Sequence, residues 1–456
     1  MFQTDTICAI ATAMTNSGIG VIRVSGDEAI EKVNSIFRGK DDLTEAASHT
    51  IHYGHIYYED KILDEVLVLI FRAPRSYTTE DTVEIDCHGG VVVMQQILNL
   101  LIQIGVRPAE PGEFTKRAFL GGRIDLSQAE SVMDVIESKS NLALQNSMNQ
   151  LQGKFSNKIR KMREDIIYEI AFIESALDDP EHISLDGYEE SVLPKVEEII
   201  RSIDHLLDSS SNGAMLKEGI CTAIIGKPNA GKSSLLNALA RKDRAIVTDI
   251  AGTTRDTLEE QILLNGISLR MIDTAGIRQT DDVVEKIGVN KAIDSIDTAD
   301  LILYVVDSST KLDHNDIQII ERIKNRNVIV LLNKSDLNVM ITEDDITNYM
   351  DKPILSFSAK HGEGLKDLED IITDMFFSGD LQENNEVFLT NARHIAALQS
   401  ARESLRHVVE SIDCQMPEDF LTIDLMDAYE SLGKIIGEAV GEDLVNEIFS
   451  KFCTGK

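Results

Sequence analysis

Residues 226–233 read GKPNAGKS, after the apolar run CTAII and before the helical pattern SLLNALAR. That spacing suits a phosphate cradle: glycines let the backbone close round an anion, successive amides point inward, and a lysine reaches the outer oxygens. Asn229, Ala230, Gly231 and Ser234 would wrap the phosphates, Lys232 would reach the β- and γ-oxygens, and the Ser233 hydroxyl would take Mg²⁺. Further pieces follow in order. TDIAGTT contributes Thr248, Asp249, Ile250, Ala251, Gly252, Thr253 and Thr254, the last as second Mg²⁺ ligand. DTAG contributes Asp273, Thr274, Ala275 and Gly276, with Asp273 holding the metal through water and the Gly276 amide offered to the γ-phosphate. In NKSD, the Asp336 carboxylate matches two neighbouring donors on guanine, Lys334 covers the base and Asn333 braces the loop. SAK (Ser358, Ala359, Lys360) offers backbone to the base carbonyl. The expectation is a GTP-binding domain.

Hydrolysis needs a group that orients water, and Ile277, directly after DTAG, is aliphatic. Glu285 in IRQTDDVVEKIG is the candidate, since a carboxylate can align water. Taken alone it is equally one more solvated acid. Arg255, Arg278 or a monovalent cation are the options for neutralising transition-state charge.

The elements needed to hold these residues follow from the rhythm of the chain. From Gly219 strands alternate with helices, implying a parallel α/β sheet, and QILLNGISLRM adds one hairpin through an Asn-Gly turn. Before it, Ile159, Met162, Ile166, Ile170, Ile173 and Leu177 mark an amphipathic helix. Residues 1–118 alternate short strands and helices; 119–215 and 380–456 read as helical, with 216–379 as a nucleotide domain inserted between them. The fold class expected is therefore multidomain, α+β then helical, with an inserted Ras-like P-loop α/β domain. Helical segments distant in sequence should pack together.

With 456 residues, roughly three domains are expected. No run long enough to span a membrane and no basic leader is present, so a cytoplasmic protein is expected. The five scattered cysteines suit a reducing compartment. A formal charge of −33 disfavours nonspecific phosphate-backbone binding, so any nucleic acid must meet a local basic patch or a more basic partner. In SHTIHYGH, strand alternation puts His52 opposite His49 and His55, which disfavours a three-histidine metal site. His88 in DCHGG reads as a core or turn histidine, and DDPEH at 178–182 as a solvated helix end.

Over its whole length the sequence resembles the tRNA wobble-uridine modification GTPases, the MnmE or TrmE family. The resemblance lies in GIGVIRVSG, SYTTEDTVEIDCHGG, PGEFTKRAFLGGRIDLSQAE, GKPNAGKSSLLNAL, GTTRD and FSKFCTGK. It implies a homodimer joined through residues 1–118, which would also bind a 5-formyl- or 5,10-methylene-type tetrahydrofolate. It implies GTPase domains that pair across K⁺ held by Asn229, Thr248, Ile250 and Thr253, and it makes Glu285 the water-orienting catalytic residue. Folate contacts carry over to Arg23, Glu80, Arg123 and Lys456; a carboxylate such as Glu80 suits the paired donors of a pterin. The implied reaction adds an aminomethyl-type group to C5 of wobble uridine in tRNA, with an FAD-dependent partner protein.

Cys453 stands fourth from the last residue, but Thr454, Gly455 and Lys456 do not suit prenylation. The resemblance makes it a functional thiol near the folate pocket, with Lys451 and Lys456 favouring thiolate. Thr454 replaces the family's usual aliphatic residue, implying a tail packed differently. The loop ATAMTNSGIG has Ala13, Met14 and Thr15 where the family has a Pro- and Gly-rich loop, implying less rigidity there. The rival expectation is a regulatory GTPase of ribosome assembly, which would need neither folate motifs nor a cysteine tail.

Overall fold

The first sheet grows from strands that bury alternate residues. In β1 (Ile7–Ile10) and β2 (Ile19–Ser25), Cys8, Ile22 and Val24 point to one face and Ile7, Ala9 and Arg23 to the other. With β3 (Phe37–Gly39), β4 (Thr50–Tyr58), β5 (Lys61–Phe71), β6 (Thr82–His88) and β7 (Arg107–Pro108) the order is β3-β4-β5-β6-β2-β1-β7. All pairings are antiparallel except β1 with β7. Helices Ala29–Ile36 and Val91–Gln103 cover the first face, where Ala29, Val33, Met94 and Ile97 complete its core. Helix Glu113–Leu120 lays Phe114 against Ile7 and Ala9 on the second face. Between β2 and β6 this second face is polar, because the register sets Arg23 opposite Glu84 and Ser25 opposite Thr82.

The computed structural model describes residues 5–242, 260–264, 266–272, 296–377 and 388–455. The chain divides into two compact units, one of Met1–Met133, Gln150–Asp186 and Glu410–Lys456, the other of Asp134–Asn149 and Gly187–Val409. In the first, the amphipathic stripe of the sequence becomes helix Lys154–Asp178, which packs on helix Glu418–Ile436. Buried Arg163 joins them: it donates to the Tyr429 carbonyl, lies over the Tyr429 ring at 4.0 Å and pairs with Glu438. Arg163 and Tyr429, 266 positions apart in the chain, thus meet in one helical bundle.

The second unit holds the sheet β13-β12-β11-β8-β10-β9, formed by β8 (Ile220–Ile225), β9 (Glu260–Leu264), β10 (Ile267–Met271), β11 (Leu301–Asp307), β12 (Val328–Asn333) and β13 (Ile354–Ser356). It is parallel except for β9, the antiparallel partner of β10, which is the hairpin expected from Asn-Gly. Its central strands β8, β11 and β12 are buried along nearly their whole length because helices cover both faces. Lys232–Lys242 and Leu365–Phe377 pack on one side through Leu235, Leu239 and Ile372. His314–Ile323 packs on the other through Ile320 and Ile323. Among the described residues no helix is long and apolar enough to cross a membrane.

Candidate functional site

In the nucleotide domain the backbone after β8 turns through conformations that suit glycine. Gly226 and Gly231 have φ of +156° and +104°, and Asn229 is left-handed at 62°. A side chain at Gly231 would strike Asn333 Nδ2 at 2.0 Å, so glycine is required by contact as well as by φ. The Lys232 ammonium folds into the loop, donating to the carbonyls of Gly226 (2.7 Å) and Lys227 (2.8 Å), and burial lowers its pKa. Ser233 and Ser234 follow on the first turn of helix Lys232–Lys242, whose N-terminal amides favour an anion.

Strand ends bring the NKSD and SAK residues to the same edge. Asn333, the last residue of β12, donates to the Ala230 carbonyl at 2.8 Å and accepts from the Ala359 amide at 3.0 Å. It therefore clamps the phosphate loop to the SAK segment, the bracing expected of it. The Ala359 amide is spent on that clamp. Asp336 accepts from the Ser358 hydroxyl at 2.9 Å, and that bond first, with nearby His361 and Lys360, holds its carboxyl below the usual range. Lys334, at φ 64°, sets its ammonium 2.5 Å from Asp307 at the end of β11. Burial pushes Asp307 up, but Lys334 and Ser309 outweigh it and hold the carboxyl low.

On the polar face of the first sheet the other candidates gather. Arg23 pairs with Glu84 at 2.8 Å, and its guanidinium carbon stands 5.1 Å from the Tyr77 ring centre. Arg123 stands 4.6 Å from the same ring and donates to the Tyr77 carbonyl at 2.8 Å. Glu80 accepts from Arg117 through both oxygens and from Ser25 at 2.9 Å. The tail runs alongside: Arg23 donates to the Gly455 carbonyl at 3.3 Å, and the Gly112 amide donates to the Cys453 carbonyl at 3.3 Å. Arg23 and Arg123 thus both stand at the Tyr77 ring, and Arg23 also reaches the tail; guanidiniums suit acceptors and a carboxylate suits donors.

A family model described as MnmE helical domain matches residues 126–453, and one described as GTP-binding protein TrmE N-terminus matches residues 6–123. The chain is 56% identical to the tRNA modification GTPase MnmE of Lachnoclostridium phytofermentans, across 100% of both chains. The chain belongs to the MnmE family of tRNA modification GTPases. MnmE of Bacillus cytotoxicus is 45% identical and MnmE of Staphylococcus aureus 43%, each over 99% of both chains. Among solved structures, Aquifex aeolicus Era aligns at 28% identity over 41% of this chain and 66% of that one, with a TM-score of 0.27, too slight a likeness to decide anything.

Residues singled out by motif spacing or by the resemblance lie outside the described residues: Thr248, Asp249, Ile250, Ala251, Gly252, Thr253, Thr254, Arg255, Asp273, Thr274, Ala275, Gly276, Arg278, Glu285 and Lys456. Cys453 is exposed, and the Lys451 ammonium is 3.2 Å from Glu447. Cys8, Cys87 and Cys221 are buried; burial pushes the Cys8 thiol up to about 12 and, first among its causes, Cys87 to about 11. Sequence reading missed Tyr77, Arg117 and Asp307. Tyr77 and Arg117 stood inside quoted motifs, SYTTED and FTKRAFL, but nothing in their spacing marks them. His88 needs a correction: it is neither core nor turn but the exposed last residue of β6, 2.7 Å from Asp64.

Proposed function

We propose that this chain uses GTP hydrolysis to gate a tRNA modification, the addition of an aminomethyl-type group at C5 of wobble uridine. The observation that carries this reading is the meeting of Arg23, Arg123 and Tyr77 with the tail carbonyl of Gly455, an arrangement a pure switch GTPase does not need. Residues 1–118 form the folate-binding and dimerisation domain of this reading, 119–215 and 380–456 the helical domain, and 216–379 the GTPase domain. Bound tetrahydrofolate supplies the one-carbon unit. Arg23, Arg123 and Lys456 pair with its acceptors, and Glu80 receives its adjacent N–H groups.

In the nucleotide site Lys232 neutralises the β- and γ-oxygens, and Ser233 and Thr254 hold Mg²⁺. Asn229, Thr248, Ile250 and Thr253 hold K⁺ where an arginine finger would otherwise act, and Glu285 orients water. The protein works in the cytoplasm as a homodimer with an FAD-dependent partner, which brings the tRNA to an otherwise acidic chain. An exposed apolar strip on β4 and β5 supports the homodimer: Ile51, Tyr53 and Leu67, with Tyr53 directly opposite Leu67.

The test is modified wobble uridine, quantified in tRNA from cells lacking the protein and then complemented. Wild type should restore it. Cys453→Ser should fail to restore it while GTP hydrolysis persists, and hydrolysis should run faster in K⁺ than in Na⁺. Unchanged wobble uridine in the deleted cells would remove the modification reading; normal modification by Cys453→Ser would remove the thiol role.

A further inference from the structure

Burying a guanidinium is costly unless its donors are all engaged. Arg117, on helix Glu113–Leu120, is 8% exposed. Its Nη1 donates to both Glu80 oxygens at 2.9 and 3.2 Å and to the Asp5 carbonyl at 2.9 Å. Its Nη2 donates to the Asp5 carboxylate at 3.0 Å and to Glu113 at 2.9 Å. From β7, Arg107 grips the same Asp5 and Glu113 at 2.5 and 2.6 Å. The carboxylates of Asp5, Glu80 and Glu113 thus share the guanidiniums of Arg107 and Arg117, leaving one negative charge uncompensated.

Of the three, Glu80 alone pairs with a single guanidinium. Glu113 receives both guanidiniums and a backbone amide, and Asp5 receives both guanidiniums. Glu80 has a single nitrogen of Arg117 and the Ser25 hydroxyl, itself 2.6 Å from Thr78. Asp81, next in the chain, turns away to the Ala73 amide. Of the groups around Glu80, then, α-helical Arg117 and Glu113, β7 Arg107 and Asp5 ahead of β1 are charged, and Ser25 and Thr78 are neutral.

We propose that Arg117 is a positioning residue of this site: it holds Glu80 as an oriented acceptor for a ligand with two adjacent N–H donors. The proposal rests on the folate reading and deepens it, because a pterin edge carries that donor pair. Glu80 is fixed before the ligand arrives, so less side-chain freedom is lost on binding. Without Arg117, the Glu80 carboxylate keeps only the Ser25 hydroxyl to fix it and must be ordered when the ligand binds.

The test uses the full-length protein, 5-formyltetrahydrofolate and calorimetric titration. Arg117→Met should weaken binding by about tenfold, one charged hydrogen bond's worth. Arg117→Lys keeps the charge but not the fork, and should fall between it and wild type. Because Arg117 acts through Glu80, adding Arg117→Met to Glu80→Gln should cost much less than it does in wild type. Wild-type affinity in Arg117→Met, or an equal loss in both backgrounds, overturns the positioning role. Failure of wild type to bind refutes the folate reading itself, and this proposal with it. Should thermal melts show Arg117→Met unfolded, Ser25→Ala decides: severalfold weaker binding that disappears in the Glu80→Gln background supports the proposal, and unchanged binding overturns it.

Discussion

Asp336 shows how much one carboxylate can decide. Guanine offers two neighbouring donors, which an ionised carboxylate accepts together, whereas an amide presents one acceptor and one donor. Asp336→Asn should weaken GTP binding by roughly tenfold or more and raise affinity for XTP, whose 2-carbonyl accepts from the new amide. Competition between the nucleotides for a fluorescent analogue measures this; unchanged GTP preference would remove Asp336 from base recognition. His88 gives a pH signature elsewhere. The hydrogen bond its ring donates to the Asp64 carboxylate, the largest cause, raises its pKa above the ordinary value of about 6.5. Because the folded value is raised, any stability it lends is present below pH ~6.5 and lost as pH rises through the folded value. The His88 ring resonances should titrate above 6.5 in wild type and fall back in Asp64→Asn, which NMR can follow.

At the scale of elements, the tail depends on close backbone approach. Gly455 has φ of +100°, and a Cβ there would stand 2.4 Å from the Ile10 carbonyl of β1. Gly112, at φ +67°, would carry its Cβ 2.6 Å from the Phe449 carbonyl and 2.8 Å from Phe452. Both positions therefore exclude side chains by sterics and by backbone conformation. A left-handed alanine alone costs ~1–2 kcal/mol, and the clash adds to it. Gly455→Ala should release the tail, seen as faster proteolysis of the last residues and lower folate affinity. GTP hydrolysis should be retained, because the phosphate loop lies in the other compact unit. A tail as protected as in wild type would show that these contacts do not hold it.

For the whole molecule, net charge and apolar surface pull in different directions. A charge of −33 opposes self-association through long-range repulsion, so a dimer needs a concentrated apolar contact. Tyr53 and Leu67 are 59% and 43% exposed while Val66 and Val68 beside Leu67 are buried, which puts the apolar strip on the outer face of the sheet. Tyr53→Asp would bury a charge in any contact made there. On the homodimer proposal, light scattering should show Tyr53→Asp more monomeric than wild type at the same concentration. Dimers of equal stability would place the interface elsewhere.

The sequence by itself determined the nucleotide domain, because its motifs are contiguous and each stands at the end of an apolar strand. GKPNAGKS, NKSD and SAK could be assigned roles from residue type and local spacing alone. Strand alternation in GVIRVSG likewise sends Arg23 to the face opposite Ile22 and Val24, a period that chemistry imposes on any strand. Only the tertiary structure decided what Arg23 meets there, since Gly455 is 432 positions away in the chain. Asp5, Glu80, Arg107, Glu113 and Arg117 also look like ordinary surface charges in sequence. They become one ion-pair cluster around buried Glu113 and Arg117 because β1, β7 and the helix after Gly112 converge, and no local periodicity records such a convergence.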